Sequence, residues 1–251
     1  MKRPAYRLVD FADPERERAR LEEQVHALLG IERPRYAHHE VFAGETLLDV
    51  GSGTGVPARW LAAEGLHVTC VDPIREALVH APEPRVLAAA ERLPFPAGTF
   101  DVAFCRLALQ HVTDPGVAVR EMARVARKRV VLIDTDADTF VTFPALPTVH
   151  EARRRWNVAA EARGADPRIG RRLRALLRDA ELVDLRVDAV YVTSEDLGKE
   201  AFARLLLAPP VQHVMRDEAD ALRSGESEIS AWLADEGAFA AAALFFASGA
   251  P

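Results

Sequence analysis

The sequence predicts a doubly wound α/β fold, in which helices cover both faces of a mostly parallel β-sheet. Between residues 46 and 134, short apolar runs alternate with segments of helical periodicity, and glycines follow the first run directly. The intervening helices are 8–13 residues long, which suits connections between parallel strands. Because such crossovers are right-handed, successive helices should cover both faces of the sheet.

The composition is that of an ordinary globular protein, with 49% hydrophobic and 28% charged residues in 251. These fractions exclude a disordered, collagenous or coiled-coil chain. The net charge of -6 argues against general binding to nucleic acid or to an anionic membrane, which need a basic surface. The only two cysteines, Cys70 and Cys105, lie far apart, so neither a zinc site nor a disulfide framework is predicted.

Two further patterns bear on where the protein works. The N-terminal segment lacks the apolar run of about 7–15 residues that a signal peptide needs. The longest apolar stretch, 238–247, is half of the roughly 20 residues that span a bilayer. We therefore expect a cytoplasmic protein. The sequence does not determine its oligomeric state.

The chain is predicted to comprise an N-terminal helical cap, residues 1–43, and one α/β domain, residues 44–251. Within the cap we predict a helix with Asp13 as its N-cap and Gly30 just past its end, followed by a short helix at 36–42. No internal repeat, low-complexity tract or linker separates the two parts.

Within the domain, apolar runs and turn residues set the expected order of elements. The predicted strands are 46–50, 66–71, 85–88, 100–105, 129–134, 182–193 and 239–247. The predicted helices between them are 56–64, 73–80, 115–127 and 169–180. The alternation breaks after Asp134, and we expect helical insertions at about 138–167 and 195–236 over the carboxyl ends of the strands.

The most specific motif is the segment LLDVGSGTG at 47–55, where a buried strand meets a helix through Gly51, Gly53 and Gly55. Glycine lets the backbone turn sharply and approach a ligand closely, although a turn that merely needs glycine is the simpler interpretation. The spacing differs from the dinucleotide fingerprint, because Val56 stands where the third glycine would be. Asp72 lies 72 − 51 = 21 residues after the first glycine, where a carboxylate can accept both ribose hydroxyls. This combination favours an adenosyl ligand without phosphates.

Four segments together resemble a family: LLDVGSGTG, the CVDP that contains Asp72, AAAERLPFPAGTFDVAFCRLALQHVTDP at 88–115, and EMARV at 121–125. In this order they are similar to class I S-adenosylmethionine-dependent methyltransferases, in particular the branch of ubiquinone/menaquinone-biosynthesis and natural-product small-molecule enzymes. The resemblance covers about residues 44–135. It implies a Rossmann-like sheet of seven strands with the last one antiparallel, and S-adenosyl-L-methionine as the cofactor.

The resemblance also implies roles for individual residues. Asp49 would order the glycine loop, Asp72 would hold the ribose diol, and Arg106 and Leu107 would border the methionyl group through their backbone. The full set of implied cofactor-binding residues is Asp49, Gly51, Ser52, Gly53, Gly55, Asp72, Pro73, Ala90, Glu91, Arg106 and Leu107.

The chain departs from the family pattern at three places. Ala89 stands where the family often has an aspartate that contacts the adenine amine. Arg127–Arg129 replaces the usual Pro-Gly-Gly turn before the fifth strand. Gln110 and His111 replace a common pair of histidines, so a base at the first of these positions is lost.

Methyl transfer requires alignment, desolvation and, for a phenol, enol or amine acceptor, a base. His111 is the first candidate for that base, and its alternative role is to brace its loop. Asp134, at the end of the fifth strand, could orient His111 or touch substrate. It also begins a run of acids at 134, 136 and 138, but Thr139 and Ala145 occupy positions where a calcium loop needs Gly and Glu. We therefore expect solvated loop carboxylates and assign no metal site.

The predicted function is methyl transfer from S-adenosylmethionine to a small organic acceptor, most simply as an O-methyltransferase of secondary metabolism. The alternatives are an RNA methyltransferase and a cofactor-binding, non-methylating cyclase or binding protein on the same scaffold. Between residues 151 and 178 there are nine arginines against three acids. These arginines form either the solvated faces of two helices or a patch for an anionic acceptor. Nucleic acid and membranes are not expected partners.

Overall fold

The computed structural model describes residues 13–251, so the first twelve residues of the predicted cap lie outside the described part. An eight-stranded sheet crosses the molecule in the order β3-β2-β1-β4-β5-β8-β6, and β7 pairs with β8 as well. The strands are β1 Thr46–Val50, β2 His67–Asp72, β3 Arg85–Leu87, β4 Phe100–Arg106, β5 Ala126–Thr135, β6 Val141–Phe143, β7 Val183–Thr193 and β8 Phe239–Ala250. The first five strands run parallel, and β6 and β7 both pair antiparallel with β8.

Helices pack on both faces of the sheet, which confirms the predicted doubly wound class. The helices are α1 Pro14–Tyr36, α2 Val56–Ala63, α3 Arg75–Leu78, α4 Pro115–Val125, α5 Pro147–Ala162, α6 Leu173–Asp179, α7 Ser194–Leu197, α8 Lys199–Phe202, α9 Ala208–Val214 and α10 Ala219–Ala234. One apolar core joins α4 and α6 to the sheet, and another joins α1, α2 and α3 to it. Burial of both faces explains why β1, β4 and β5 are continuous apolar runs.

The helical insertions form a third apolar core of their own. Side chains of α5, α8, α9 and α10 meet around Trp232 and Phe202, both of which are fully buried. The indole N–H of Trp232 donates to the carbonyl oxygen of Phe143 at 3.1 Å, which ties this bundle to β6. Among residues 13–251, no helix is long and apolar enough to cross a membrane.

The structure corrects the strand count. The resemblance implied seven strands. The additional strand is β6, which is three residues long and lies within the predicted helical insertion at 138–167. It pairs with the first residues of β8, which extends further than the apolar pattern indicated. A strand of three residues is too short to show a periodicity of two in the sequence.

The first helix is longer than predicted. It runs through Gly30 to Tyr36, and a turn occupies 37–40, where a second short helix was expected. Gly30 is exposed, whereas Glu32 and Tyr36 lie one turn apart on the buried side of the helix. Burial of this last part of the helix outweighs the roughly 1 kcal/mol that glycine costs in a helix.

A buried ion pair fastens α1 to the sheet. The guanidinium of Arg106, at the end of β4, donates to the Glu32 carboxylate from Nε at 2.8 Å and from Nη2 at 2.6 Å. The side chains are 3% and 0% exposed, and the hydroxyl of Tyr36 donates to the same carboxylate at 2.9 Å. Because each charge depends on the other for compensation, loss of one partner leaves an unpaired buried charge.

Replacing Glu32 should therefore destabilise the protein strongly. We expect Glu32→Gln to lower the free energy of unfolding by about 3–5 kcal/mol, because the Arg106 cation loses its counter-charge. The matched control is Glu64→Gln, which breaks the exposed pair with Arg33 and should cost less than about 1 kcal/mol. Urea unfolding of both variants measures the difference, and equal losses would show that the buried pair has no special weight.

Candidate functional site

A cavity of about 780 Å³ opens at the carboxyl edge of the parallel strands. Its floor is formed by the ends of β1, β2, β4 and β5, and its roof by α1, α5 and the segment 205–210. This is the crevice where open α/β sheets bind ligands, and its size falls in the range of about 300–1,000 Å³ typical of small-molecule sites.

The three glycines of the loop after β1 have different roles. Gly51, at φ +76°, packs against the segment that follows β4, since a Cβ there would lie 2.5 Å from the Cβ of Ala108. Gly55 is buried at the start of α2, and a Cβ there would lie 2.7 Å from the Cα of Ala81. Gly53, at φ +53°, faces open space in the cavity wall. The structure thus places Gly51 and Gly53 in the wall, whereas Gly55, expected to bind the cofactor, lies behind it.

Asp72 joins the loops after β1 and β2. Its Oδ2 accepts the Gly53 N–H at 2.9 Å, and its Oδ1 accepts the Ile74 N–H at 2.7 Å. Burial raises the pKa of this carboxyl, and the two backbone donors act against that rise. Because the carboxylate also lines the cavity, its remaining lone pairs are available to hydroxyl groups of a ligand.

Asp49 is the most unusual acid in the cavity wall. It is the last residue but one of β1, with 2% exposure, and no donor among residues 13–251 reaches its Oδ2. Burial raises the pKa of Asp49 to about 7; the positive charge of Arg106 acts against this rise, and the nearby charge of Asp72 adds to it. A buried carboxylate oxygen without a donor is costly, so a ligand that brings a cationic N–H donor to this point would be favoured.

The other expected cofactor contacts also lie in the cavity wall: Ser52, Pro73, Ala90, Glu91, Arg106 and Leu107. Ala89, the departure from the family pattern, lies there too. The guanidinium of Arg106 is held by Glu32, so this residue has both a place in the wall and a structural role that the sequence did not reveal.

His111 lies in the cavity wall at the end of a 3₁₀ turn, Leu109–His111. Burial lowers the pKa of the imidazole to about 4, and the positive charge of Arg163 adds to the effect. The ring is therefore neutral at pH 7 and able to accept a proton from a ligand.

Asp134 lies behind the cavity wall rather than in it. The carboxylate is 0% exposed and accepts three hydrogen bonds, from the Gln110 backbone at 3.1 Å, the Gln110 side chain at 2.8 Å and the Thr135 backbone at 2.9 Å. Burial raises its pKa to about 7. The structure therefore places Asp134 outside the cavity lining, where its side chain holds Gln110, the residue directly before His111.

Two acids follow, Asp136 and Asp138. Asp136 is buried and ion-paired, which corrects the expectation of a solvated carboxylate, whereas Asp138 is ion-paired and half exposed. Both carboxylates accept hydrogen bonds from Arg171, and Asp138 also accepts from Arg168. Asp136 is 3% exposed. Within residues 13–251, no group of three or more side chains is arranged to hold a metal ion.

The roof of the cavity contains residues that sequence reasoning did not assign to the site. Most are apolar and come from segments distant in the chain: Leu21, Phe140, Leu205, Leu206, Pro209 and Pro210. The polar ones include Gln24 of α1 and Arg153 and Asn157 of α5. Trp156 lies in the roof against His213, at 4.9 Å between ring centroids. Helical spacing at 153, 156 and 157 marks one face of α5, but the sequence does not say what that face meets.

Comparisons with known proteins agree with this architecture. A family model described as a methyltransferase domain matches residues 48–133. Ubiquinone biosynthesis O-methyltransferase of Sodalis glossinidius is 37% identical over 94 residues, and the alignment covers 34% of this chain and 38% of that relative. The sequence match thus spans well under half of either protein.

Solved structures share the fold over most of the chain. A protein described as a methyltransferase from an antibiotic biosynthesis pathway of Anabaena variabilis superposes with a TM-score of 0.64 at 17% identity, covering 87% of this chain and 96% of that one. The [4+2]-cyclase SpnF gives 0.54 at 20% identity, with 88% and 81% covered. Phosphoethanolamine N-methyltransferase 2 of Haemonchus contortus, in complex with S-adenosyl-L-methionine, gives 0.55 at 19% identity, with 90% and 52% covered.

Residues 48–133 match a methyltransferase domain, and the sheet with its flanking helices has the fold of S-adenosylmethionine-dependent methyltransferases. The resemblance drawn from the four sequence motifs is confirmed.

The raised pKa of Asp49 predicts a pH-dependent stability. With a pKa of about 7 in the folded state and 3.8 as its ordinary value, the native carboxyl holds a proton that the unfolded one releases, so its contribution to stability falls as the pH rises from 4 towards 7. Asp49→Asn removes this titration. As the pH is raised from 5 to 8, we expect the free energy of unfolding of the variant to increase relative to that of the wild type, as measured by urea unfolding.

Asp101→Asn is the matched control. Hydrogen bonds from Thr46 lower the pKa of Asp101, so its titration lies below 3.8 and its contribution is the same at pH 5 and pH 8. If both variants shifted in parallel with pH, the raised pKa of Asp49 would be wrong.

Proposed function

We propose that this protein transfers a methyl group from S-adenosyl-L-methionine to an oxygen atom of a small organic acceptor. The observation that carries the proposal is the single cavity that joins two halves of different chemistry. One half is the cradle, defined here as the loop 49–53 together with Asp72. The other half is a mainly apolar chamber under the roof helices. His111 lies in the wall of the same cavity.

The cradle fits the cofactor on three counts. Gly53 leaves open space where any other side chain would project, and Asp72 offers acceptors to a pair of ribose hydroxyls. Asp49 has a buried oxygen without a donor, which suits the ammonium group of the methionyl part. Two carboxylates in one cradle would repel a diphosphate, whereas a sulfonium nucleoside with an ammonium group is attracted.

When bound, the cofactor supplies an activated methyl group on a sulfonium sulfur, so the chain has to align the acceptor, exclude water and accept a proton. The roof helices and Pro209 cover part of the chamber and reduce its contact with water. His111 is neutral at pH 7 because burial lowers its pKa to about 4, so it can accept the hydroxyl proton as the methyl group is transferred, although the same lowered pKa makes it a weak base. Asp134 positions the turn that carries His111, because it holds both the backbone and the side chain of Gln110.

Two findings support oxygen as the acceptor atom. A neutral imidazole matches a hydroxyl that must lose its proton as it is methylated. The curated relative is a ubiquinone biosynthesis O-methyltransferase. The Anabaena variabilis neighbour, described as part of an antibiotic biosynthesis pathway, supports a role in secondary metabolism.

The cyclase neighbour gives a second candidate function its specific support. SpnF shares the fold at a TM-score of 0.54, so a non-methylating cyclase on this scaffold is the alternative. An RNA methyltransferase finds less support, because the site is a roofed cavity and the net charge is -6.

A transfer assay separates these functions. The protein is incubated with methyl-labelled S-adenosylmethionine and pools of small phenols, enols and RNA, and S-adenosylhomocysteine release is measured. We expect release with the small hydroxylated pool. Cofactor binding without release in any pool would favour the cyclase, and release with RNA at an affinity that falls steeply with salt would favour the RNA enzyme.

Asp72→Ala should weaken cofactor binding. Loss of hydrogen bonds to a charged acceptor costs about 1.5–3 kcal/mol, so the Kd for S-adenosylmethionine should rise at least about tenfold in calorimetry. The control Glu76→Ala changes an exposed acid on α3 and should leave the Kd unchanged. An unaltered Kd in Asp72→Ala would remove this residue from the ribose role.

His111→Ala should lower kcat by about 10²–10⁴-fold with the acceptor that the transfer assay identifies, and should change cofactor affinity little. Because the pKa of His111 is lowered to about 4, the wild-type rate should show no acidic limb from this residue between pH 6 and 7. The control is His26→Ala, an exposed residue of α1. Wild-type rates in His111→Ala would leave it only a bracing role.

A further inference from the structure

Most of the arginines between 151 and 178 form ion pairs with nearby carboxylates. Arg154 and Arg155 pair with Glu151, and the more C-terminal ones pair with acids of nearby turns. The pairs of that second group are Arg168–Asp138, Arg171–Asp136, Arg172–Asp166 and Arg178–Asp179. The arginine-rich stretch is thus largely two solvated, ion-paired helix faces.

Arg153 differs from these neighbours. It lies on the face of α5 that lines the main cavity, with its guanidinium carbon 3.7 Å from the centre of the Phe140 ring. Its Nη1 donates to the carbonyl oxygen of Leu206 at 3.0 Å. Among residues 13–251, no carboxylate forms an ion pair with it, and its other N–H groups remain available.

The residues of the smaller chamber beside Arg153 do not supply it with a counter-charge either. A smaller chamber of about 170 Å³ adjoins its far side and is lined by His150, Arg154, Arg168 and Asp138. The one acid among these, Asp138, is held by Arg168 and Arg171. Burial alone lowers the pKa of Arg153 to about 10, so the group stays a cation at neutral pH.

A half-buried cation without a counter-charge costs free energy, and an apolar side chain would serve packing better at this position. A guanidinium placed over an aromatic ring and fixed at Nη1 by a carbonyl oxygen still has N–H groups for hydrogen bonds to a carboxylate or phosphate. A ligand that supplies a negative charge would offset the free energy lost by partly burying this cation.

The position of Arg153 relative to His111 sets where that charge lies on the ligand. Arg163 ends α5 and is close enough to His111 to lower its pKa. The two arginines are 163 − 153 = 10 residues apart, which is about 15 Å along a helix axis. Trp156, which lies between them on α5, and Pro209 both line the roof of the cavity.

We propose that the acceptor is an amphipathic anion: an apolar body with a hydroxyl near His111 and, at its far end, an acidic group that Arg153 binds. This inference rests on the proposed function for the identity of the reacting end. Arg153 is then the residue that determines specificity for acidic acceptors over neutral ones.

Binding of matched probes tests the proposal directly. The probes are 8-(4-hydroxyphenyl)octanoate, its primary amide, and 8-(4-hydroxyphenyl)octyl phosphate, titrated by calorimetry into the full-length protein with and without saturating S-adenosylmethionine. We expect the wild type to bind at least one of the two anions about tenfold or more tightly than the amide, which corresponds to about 1.4 kcal/mol. The carboxylate and phosphate probes show which acid the site prefers.

Variants assign the preference to Arg153. Arg153→Met should remove the preference for the anion, and Arg153→Lys should keep part of it, since lysine retains the charge without the planar fork. The matched control Arg154→Met changes a neighbouring arginine that is paired with Glu151, and it should keep the full preference. If Arg153→Met does not fold, the wild-type preference should still weaken as potassium chloride is raised.

The outcomes separate the two proposals. Equal affinity for anion and amide, no binding of either anion at millimolar concentration, or a preference that survives in Arg153→Met would overturn the role of Arg153. Anion preference without any methyl transfer would leave that role standing and count against the proposed function. Methyl transfer to neutral acceptors only would do the reverse.

Discussion

The cavity depends on the buried ion pair between Glu32 and Arg106. The parallel strands provide an open edge, and an open edge alone would leave a bound nucleoside exposed to water. The pair holds the end of α1 against β4, so that the beginning of the same helix, with Leu21 and Gln24, reaches over the cavity. Because both charges are removed from water, this contact has one geometry rather than several, and it places the roof relative to the sheet.

Two acids in the cradle divide the work between structure and ligand. Asp72 is satisfied by Gly53 and Ile74 and therefore orders the loops after two strands before any ligand arrives. One carboxylate oxygen of Asp49 accepts no hydrogen bond from the protein, so a donor on a bound ligand would stabilise it. The same contrast recurs at the far end of the cavity, where the cation of Arg153 awaits a negative charge. Each end of the site thus carries a charged group that lacks a counter-charge, negative at Asp49 and positive at Arg153. Such a site favours a cationic cofactor and an acidic acceptor.

In the glycine loop, the sequence indicates a turn, and tertiary contacts determine why each glycine is needed. Three alternating glycines were recognisable as a backbone that must turn, but their spacing does not tell which one faces a ligand. Gly51 and Gly55 are needed because Ala108 and Ala81 approach them, and of the two glycines that line the cavity only Gly53 has open space where a Cβ would lie. Likewise, Asp134 lies at the end of its strand as expected. Its hydrogen-bond partner, however, is Gln110, because the 109–111 turn packs against the end of β5.

The sequence by itself determined the doubly wound class, the succession of the parallel strands along the chain and the positions of Asp49 and Asp72 near strand ends, because apolar periodicity and glycine placement act over a few neighbouring residues. Tertiary structure decided the short strand β6, the extension of α1 past Gly30 and the roof of the cavity. These features depend on burial against partners far away in the chain, such as Glu32 against Arg106 and Arg153 against Leu206. Long-range contacts of this kind leave no periodic trace in the residues that make them, so only the folded chain reveals them.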